Sequence, residues 1–470
     1  MNICIIGTGA SGWIACTMLK KLSFIKNITI IGSSKIPSIG VGESTTLNFV
    51  FSVLSNVELK NFVQETDATV KYGVYYKNWS KRDFIYNFTS EVEEEWENLI
   101  SLGNKDPETH IHDLRSSKLW TFIGNNEVSL DYGVHNHSWH FDAGKFITFL
   151  KKINLQDDKV NFIDDTIIDC KFIQDKIEYI VGENNQKYTS DYFLNCCGDN
   201  ELNERVFKEE YVSLSQYLLT NKAIVYPLKY KNKKDQFHPY TVAKTMNCGW
   251  RWITPTQSRI GTGYVFSDNH ISVDEAVNEL LADIGDKTIT PFEVNFNPKY
   301  NRKTFKSNSC TIGMANGFLE PLDAPGLALS INTIQFLMSL LKVKNNNKDY
   351  KKELTKLNYN ISFAYKLWAS FILHQYKTSW RNDSQFWLDN KNVSCDFYDE
   401  IVDICLKKVS FDKNLYDFIK NLPIHLPSIP FTTAAKDIQW KTKIDKNPLI
   451  IERVDTKTIH HLDYIQRFYD

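Results

Sequence analysis

Two groupings in this chain combine residue types and spacing that could do chemistry. Near the start stands Gly7-Thr8-Gly9-Ala10-Ser11-Gly12-Trp13, a GxGxxG fingerprint. It follows the apolar run Ile3-Cys4-Ile5-Ile6 and opens a helical pattern with Ile14, Ala15, Met18, Leu19 and Leu22 on its apolar side. In such a turn Gly7 makes the tight bend, Gly9 lets a pyrophosphate approach the backbone, and Gly12 permits close packing of helix on strand. The free N–H groups and positive dipole end of the helix then face the phosphates. Far along the chain lies Trp250-Arg251-Trp252-Ile253-Thr254-Pro255. On a strand, residues i and i+2 share a face, so the two indoles would stand together with Arg251 turned away. That arrangement suits the wall of a tunnel, and it equally suits an apolar core ladder.

The elements around the fingerprint say more about the ligand. A second strand over Ile28–Ile31 should end in an acidic residue for the ribose hydroxyls, but it runs into Gly32-Ser33-Ser34, where a hydroxyl from Ser33 or Ser34 could replace the carboxylate with a weaker grip. A second glycine-bearing loop comes next, Pro37-Ser38-Ile39-Gly40-Val41-Gly42-Glu43-Ser44-Thr45-Thr46, ending in helix-capping residues. A nicotinamide enzyme has no evident use for this loop, whereas a flavin enzyme needs one to close over the isoalloxazine end. Strand-like alternation over residues 69–79 puts Val70, Tyr72, Val74 and Tyr76 on one face, with Thr69, Lys71, Gly73 and Tyr75 on the other. Glu320-Pro321-Leu322-Asp323-Ala324-Pro325-Gly326 leads into an apolar helix that should begin near Leu327, and a loop entering a helix N-terminus is a natural anion site.

These blocks together resemble the flavin-dependent halogenases, the tryptophan halogenase type in particular. The resemblance runs through GTGASGW at 7–13, IGVGEST at 39–45, HFDA at 140–143, NCCG at 195–198, GWRWITP at 249–255, RIGTGYVFS at 259–267, IGMANGFLEPLDAPG at 312–326 and RNDSQFW at 381–387. Several of these blocks recur across flavin monooxygenases; the paired tryptophans followed by a proline are what look like a halogenase. The resemblance implies an α/β fold, a GxGxxG Rossmann-like flavin monooxygenase-type box with a helical C-terminal subdomain. It implies FAD, used as FADH2, with O2 and halide as co-substrates and a separate NAD(P)H-dependent flavin reductase as supplier. Gly7, Gly9, Ser11, Gly12, Trp13, Ser33, Gly40, Val41, Gly42, Glu43, Ser44, Gly198, Gly313 and Leu322 would hold the cofactor. Trp250, Trp252 and Pro255 would wall a tunnel that carries hypohalous acid to the lysine Lys71, found by counting back from Asn78-Trp79. There an ammonium can hydrogen-bond the oxidant, or a desolvated amine can form a haloamine.

The sequence departs from the family at three places. Asp323 replaces its glutamate, which keeps a carboxylate for general-base work with one methylene less reach. Pro325 and Gly326 stand where backbone N–H groups hold the halide, and proline has no N–H. Losing a donor should hurt strongly hydrated chloride more than bromide or iodide, so the larger halides should be preferred. Thr254 stands where the family prefers isoleucine.

Composition bounds the remainder. A chain of 470 residues with net charge −1 gives no electrostatic case for nucleic acid or a membrane. The apolar stretch Leu327–Leu341 is interrupted by polar residues and reads as a buried helix. With a strand at its very start and nine cysteines lacking scaffold spacing, the chain reads as cytoplasmic with reduced thiols. Cys196-Cys197 reads as small-residue packing near the cofactor. His110-Ile111-His112 and His135-Asn136-His137 pair imidazoles on one face but lack a third ligand at zinc-like spacing, so no metal is expected. Glu91 to Glu97 reads as a solvated helix face, Lys342 to Lys356 as an exposed linker, and His374, Tyr376, Arg381, Asp383 and Trp387 mostly as structural contacts. The cofactor unit should span 1–344, discontinuous, with substrate-facing segments near 81–139 and 210–300, and 345–470 should be helical. The acceptor should be an electron-rich aromatic of indole, pyrrole or phenol type, and a homo-oligomer is compatible with the sequence. A hydroxylating flavin monooxygenase and a degenerate, non-catalytic flavin-binding relative are the alternatives.

Overall fold

The computed structural model describes residues 1–36, 43–45, 52–55, 57–79, 83–87, 126–129, 137–285, 290–346, 349–407 and 458–469. The readings made for Gly40, Val41, Gly42, His110, His112, His135 and the acidic run lie outside them, as does that for the side chain of Glu43.

The first apolar run becomes the strand Asn2–Ile6, at the centre of a five-stranded parallel sheet. In order, the strands are Ser309–Thr311, Tyr192–Asn195, Asn2–Ile6, Asn27–Gly32 and Val160–Asp164. Such a sheet must be covered on both faces, which explains the unbroken apolar run Ile3-Cys4-Ile5-Ile6 of its central strand. One face takes the helices Ala10–Leu19 and Pro325–Asn345. On the other, Cys4, Ile6, Ile31 and Phe193 pack against Ile167, Ile177 and Ile180 of a three-stranded sheet. The turns after four of the five strands, at Gly7, Ser33, Gly198 and Gly313, thus share the carboxyl edge, where open α/β sheets bind ligands.

A mixed seven-stranded sheet forms the second layer, in the order Phe292–Asn295, Lys222–Val225, Ile260–Phe266, Gly249–Pro255, Thr241–Met246, Gly73–Lys77 and Phe84–Asn87. The single strand expected across residues 69–79 is in fact two. Thr69–Lys71 pairs with Ser138–Phe141 in a small separate sheet; then the Tyr72 N–H donates to the Pro239 carbonyl (2.8 Å), and Gly73–Lys77 enters the seven-stranded sheet. Thr69, Val70, Lys71 and Tyr72 are all buried, so alternation carried no information about faces.

The helix Pro325–Asn345 begins two residues before the expected Leu327, with Pro325 at its first turn, where a missing N–H costs nothing. It is long and apolar enough to cross a membrane, yet 67 % of its apolar window is buried inside the protein, which makes it a core helix. The linker expected over 342–356 is also corrected. Outside residues 347–348, helix runs to Asn345 and resumes at Tyr350, where the Asp349 carboxylate accepts the Lys352 N–H (3.0 Å) as a cap. The polar composition there reflects exposed helix ends.

Candidate active site

The cofactor cradle is set by glycines. Gly7 has φ of +109°, a conformation that L side chains rarely adopt, and its N–H donates to the Ile31 carbonyl (2.7 Å). A Cβ on Gly12 would stand 2.1 Å from the Gly7 oxygen, so helix and turn touch there. Gly9, by contrast, has nothing within 4 Å of where its Cβ would be. That open backbone at the start of Ala10–Leu19 fits a pyrophosphate. Gly313 lies against Ser11, whose Oγ is 3.3 Å from the Ser330 hydroxyl, and Gly198 is exposed with Met314 Sδ 3.7 Å from its would-be Cβ. Ser44 Oγ is buried without a hydrogen-bond partner among the described residues, and its strand pairs Ser44 with His140. The side chains of Trp13 and Leu322 are fully buried, the Trp13 ring 6.4 Å from that of Phe162. Near Ser33 the structure supplies a carboxylate that sequence reasoning missed. Asp164, opposite Gly32 on the neighbouring strand, accepts the Ser34 N–H (2.8 Å), and that contact holds its pKa below the usual range.

The two tryptophans share a face of the seven-stranded sheet, ring centroids 6.4 Å apart and planes at 63°. Their neighbours make room. Across the strands, Gly263, Trp252, Ala243 and Tyr76 lie in one register row, and a Cβ on Gly263 would meet the Trp252 ring at 2.1 Å. Arg251 points to the opposite face, where its guanidinium pairs with Asp283 (2.7 Å). Thr254 is buried, and the Pro255 carbonyl accepts the Thr69 hydroxyl (2.7 Å), which ties the end of the tryptophan strand to the start of the lysine strand.

Lys71 is fully buried, and its Nζ donates to the Thr45 carbonyl (3.2 Å). Burial pulls its pKa down to about 7, with the Asp323 carboxylate working against the fall. Burial pushes Asp323 up to about 6, opposed by the Tyr76 hydrogen bond and by Lys71. Burial thus drives both groups toward their neutral forms, while each favours the charged form of the other. Asp323 and Ala324 both have positive φ, 60° and 57°, so the loop presents its carboxylate from a backbone that only a few residue types tolerate. The Tyr76 hydroxyl donates to Asp323 Oδ2, while Oδ1 has no hydrogen-bond partner among the described residues. Next to Asp323, Gly326 is exposed with nothing within 4 Å of its would-be Cβ, and Pro325 is buried.

Several residues of the site escaped the sequence reading. Glu320 is fully buried and accepts from the Trp250 indole N–H (3.0 Å), the Tyr376 hydroxyl (3.0 Å) and the Thr220 hydroxyl (2.5 Å). Burial pushes its pKa up to about 7 against those three donors. His461, near the C-terminus, accepts the Val70 N–H at Nε2 (3.0 Å) and donates from Nδ1 to the Phe237 carbonyl (3.1 Å). Those backbone partners fix a neutral tautomer, and burial lowers its pKa to about 3. His140, beside Lys71, bonds Thr69 and Thr241 and is likewise driven neutral by burial. Glu320 and Tyr376 lay in conspicuous sequence blocks and His140 opens the block HFDA, whereas Thr220 and His461 stand in none. His137 is buried against Trp139 (centroids 4.7 Å), and no three His, Cys, Asp or Glu among the described residues gather as a metal site would require.

A family model described as tryptophan halogenase matches residues 2–421. The chain belongs to the tryptophan halogenase family. It is 25 % identical over 429 residues to the tryptophan 7-halogenase RebH of Lentzea aerocolonigenes, covering 83 % of this chain and 79 % of that one. The tryptophan 6-halogenase ThaL of Streptomyces albogriseolus is also 25 % identical, over 91 % of this chain and 83 % of its own. Among solved structures, a flavin-dependent halogenase from Xanthomonas campestris shares the fold with a TM-score of 0.76 at 21 % identity, over 99 % of this chain and 98 % of that one. The protein is thus an FADH2-dependent halogenase with the Rossmann-like FAD box of its family.

Proposed function

We propose that this halogenase carries out its reaction at Lys71 and Asp323, on an electron-rich aromatic of indole, pyrrole or phenol type. The observation that carries the reading is a fully buried amine and a fully buried carboxylate that shift each other's protonation, three residues along the loop from the carboxylate that holds Trp250. Gly7, Gly9, Ser11, Gly12, Ser33, Gly198 and Gly313 would hold FAD at the carboxyl edge of the parallel sheet. Bound there, FADH2 supplies the electrons with which oxygen and halide become hypohalous acid.

The chain's own residues govern the passage and use of that oxidant. Trp250 and Trp252, with Pro255, partition the cofactor side from the acceptor side, so that only a small oxidant crosses. Lys71 meets it at Nζ, where a lowered pKa keeps both ammonium and amine accessible near neutral pH. Asp323 accepts the proton that the aromatic ring loses on substitution. Pro325 offers no N–H where the family binds halide, which favours bromide or iodide over chloride. A separate NAD(P)H-dependent reductase would deliver FADH2.

The test supplies reduced FAD, oxygen, equimolar chloride, bromide and iodide, and a panel of aromatics, and reads product mass. Halogenated product that disappears in Lys71→Ala supports the reading, and chloride incorporated ahead of the others refutes the halide preference. A gain of one oxygen would make the protein a hydroxylating monooxygenase, and flavin binding without turnover a degenerate relative.

A further inference from the structure

Asp323 poses a problem of reach. It is one methylene shorter than the glutamate that the family resemblance places at this position, and its side chain leaves a backbone fixed at φ 60°. A shorter carboxylate on a fixed backbone has few ways to aim at a reacting centre. Yet one of its oxygens is held. Tyr76 stands on the strand Gly73–Lys77, in the register row that continues through Ala243 to Trp252, and its hydroxyl donates to Oδ2. The small Ala243 between the two rings leaves both upright on the same sheet face. Tyr76 is itself fixed, fully buried and packed edge-on against Trp79 (5.5 Å between centroids).

We propose that Tyr76 is a positioning residue for Asp323, its phenol clamping Oδ2 so that the remaining oxygen, Oδ1, is turned toward the acceptor. The proposal rests on the reading of Asp323 as the group that takes the ring proton. Two constraints support it. A carboxylate held by one oxygen through a rigid phenol loses its freedom to rotate, and a buried oxygen without a partner among the described residues, here Oδ1, is one that a ligand group can satisfy. The clamp also stabilises the ionised form, because a donated hydrogen bond favours the charged carboxylate. The other groups facing Asp323 are Lys71 from the neighbouring sheet, which favours its ionisation, and Glu320 on its own loop; the Asp323 charge raises the pKa of Glu320. Beyond these stand Tyr376 on Glu320 and His140 beside Lys71.

The test is a two-by-two set on FAD-loaded protein: wild type, Tyr76→Phe, Asp323→Glu and the double variant. Phe keeps the ring and its packing and removes only the donor. In the aspartate background, Tyr76→Phe should lower kcat about tenfold, with KM nearly unchanged, and move the acid limb of the kcat profile up by about one pH unit. In the glutamate background the longer side chain reaches unaided, so the same change should cost less than about threefold. Isotope-edited infrared titration of carboxyl-labelled aspartate, with the Asp323 band assigned by its loss in Asp323→Asn, reads the same shift without turnover. Superimposable profiles for wild type and Tyr76→Phe, or equal losses in both backgrounds, overturn the clamp. If wild type yields no halogenated product but the infrared band still moves, the clamp stands and the role assigned to Asp323 falls.

Discussion

At the carboxyl edge of the parallel sheet, glycines shape the site, and Gly7 and Gly12 act through partners brought close by one short turn or one strand pairing. Gly12 touches Gly7, and Gly7 bonds the end of the adjacent strand. Around Lys71 the site is instead assembled by side chains from distant parts of the chain. Tyr76 and Asp323 are 247 residues apart, Trp250 and Glu320 are 70 apart, and Val70 and His461 are 391 apart. The cradle is shaped by backbone, and the surroundings of Lys71 are made of polar groups that burial has driven toward neutrality. A backbone cradle survives drift of side chains, whereas a pocket of coupled side chains can be retuned one residue at a time.

The largest effect should separate the two regions outright. Lys71→Met removes the amine at little cost in shape and should cut product formation by roughly 10²–10⁴-fold while leaving FAD affinity unchanged, read by product mass and by flavin fluorescence on titration. Preserved turnover would break the assignment of chemistry to that pocket. The next effect belongs to the cradle. Gly12→Val drives side-chain atoms into the Gly7 carbonyl and should both lower the apoprotein Tm and weaken FAD binding by more than about tenfold. Gly9→Ala sharpens the contrast, because its Cβ meets only open space: apoprotein stability should hold while FAD affinity falls. Equal stability losses in both would mean that Gly9 serves packing and not the ligand.

The same contrast decides what could be read before folding. The fingerprint was legible because GxGxxG is a local device, its partners fixed by a strand and a helix that adjoin it. Lys71 became legible only through family resemblance. Buried on all sides, its strand lacks the alternation that would mark a face, and the switch between sheets at Tyr72 leaves no trace in hydropathy. Glu320 sat in plain view next to Asp323 but looked like a neighbour. Its role depends on an indole, a phenol and a threonine hydroxyl that converge on it from three other segments. Asp164 was hidden because it stands on the strand beside the second strand, from which its carboxylate reaches the Ser34 N–H.

His461 tests how far the pocket extends. Its ring joins the strand before Lys71 to Phe237, and His461→Ala leaves a buried N–H and a buried carbonyl unpaired, about 1–3 kcal/mol for each. Tm should fall by several degrees, and kcat should fall while FAD affinity holds, since the loss lies on the lysine strand. A variant equally weakened in FAD binding would place His461 in the general fold and detach the C-terminal helix His461–Gln466 from the reaction pocket.

The smallest effect concerns Glu320, and its sign comes from linkage. A carboxyl whose folded pKa is raised from 4.5 to about 7 binds more protons folded than unfolded between those values. Its ionised form therefore weighs against the fold, fully above about pH 7 and not at all below about pH 4.5. Glu320→Gln removes that penalty while keeping an oxygen for the Trp250 indole, and the Thr220 and Tyr376 hydroxyls can rotate to accept from its amide. The variant should match wild type in Tm at pH 5 and exceed it at pH 8 by a few degrees, on the order of 1–3 kcal/mol. A Tm difference that does not change with pH would mean that Glu320 stays protonated throughout, and that the Trp250 indole is held by a neutral acid.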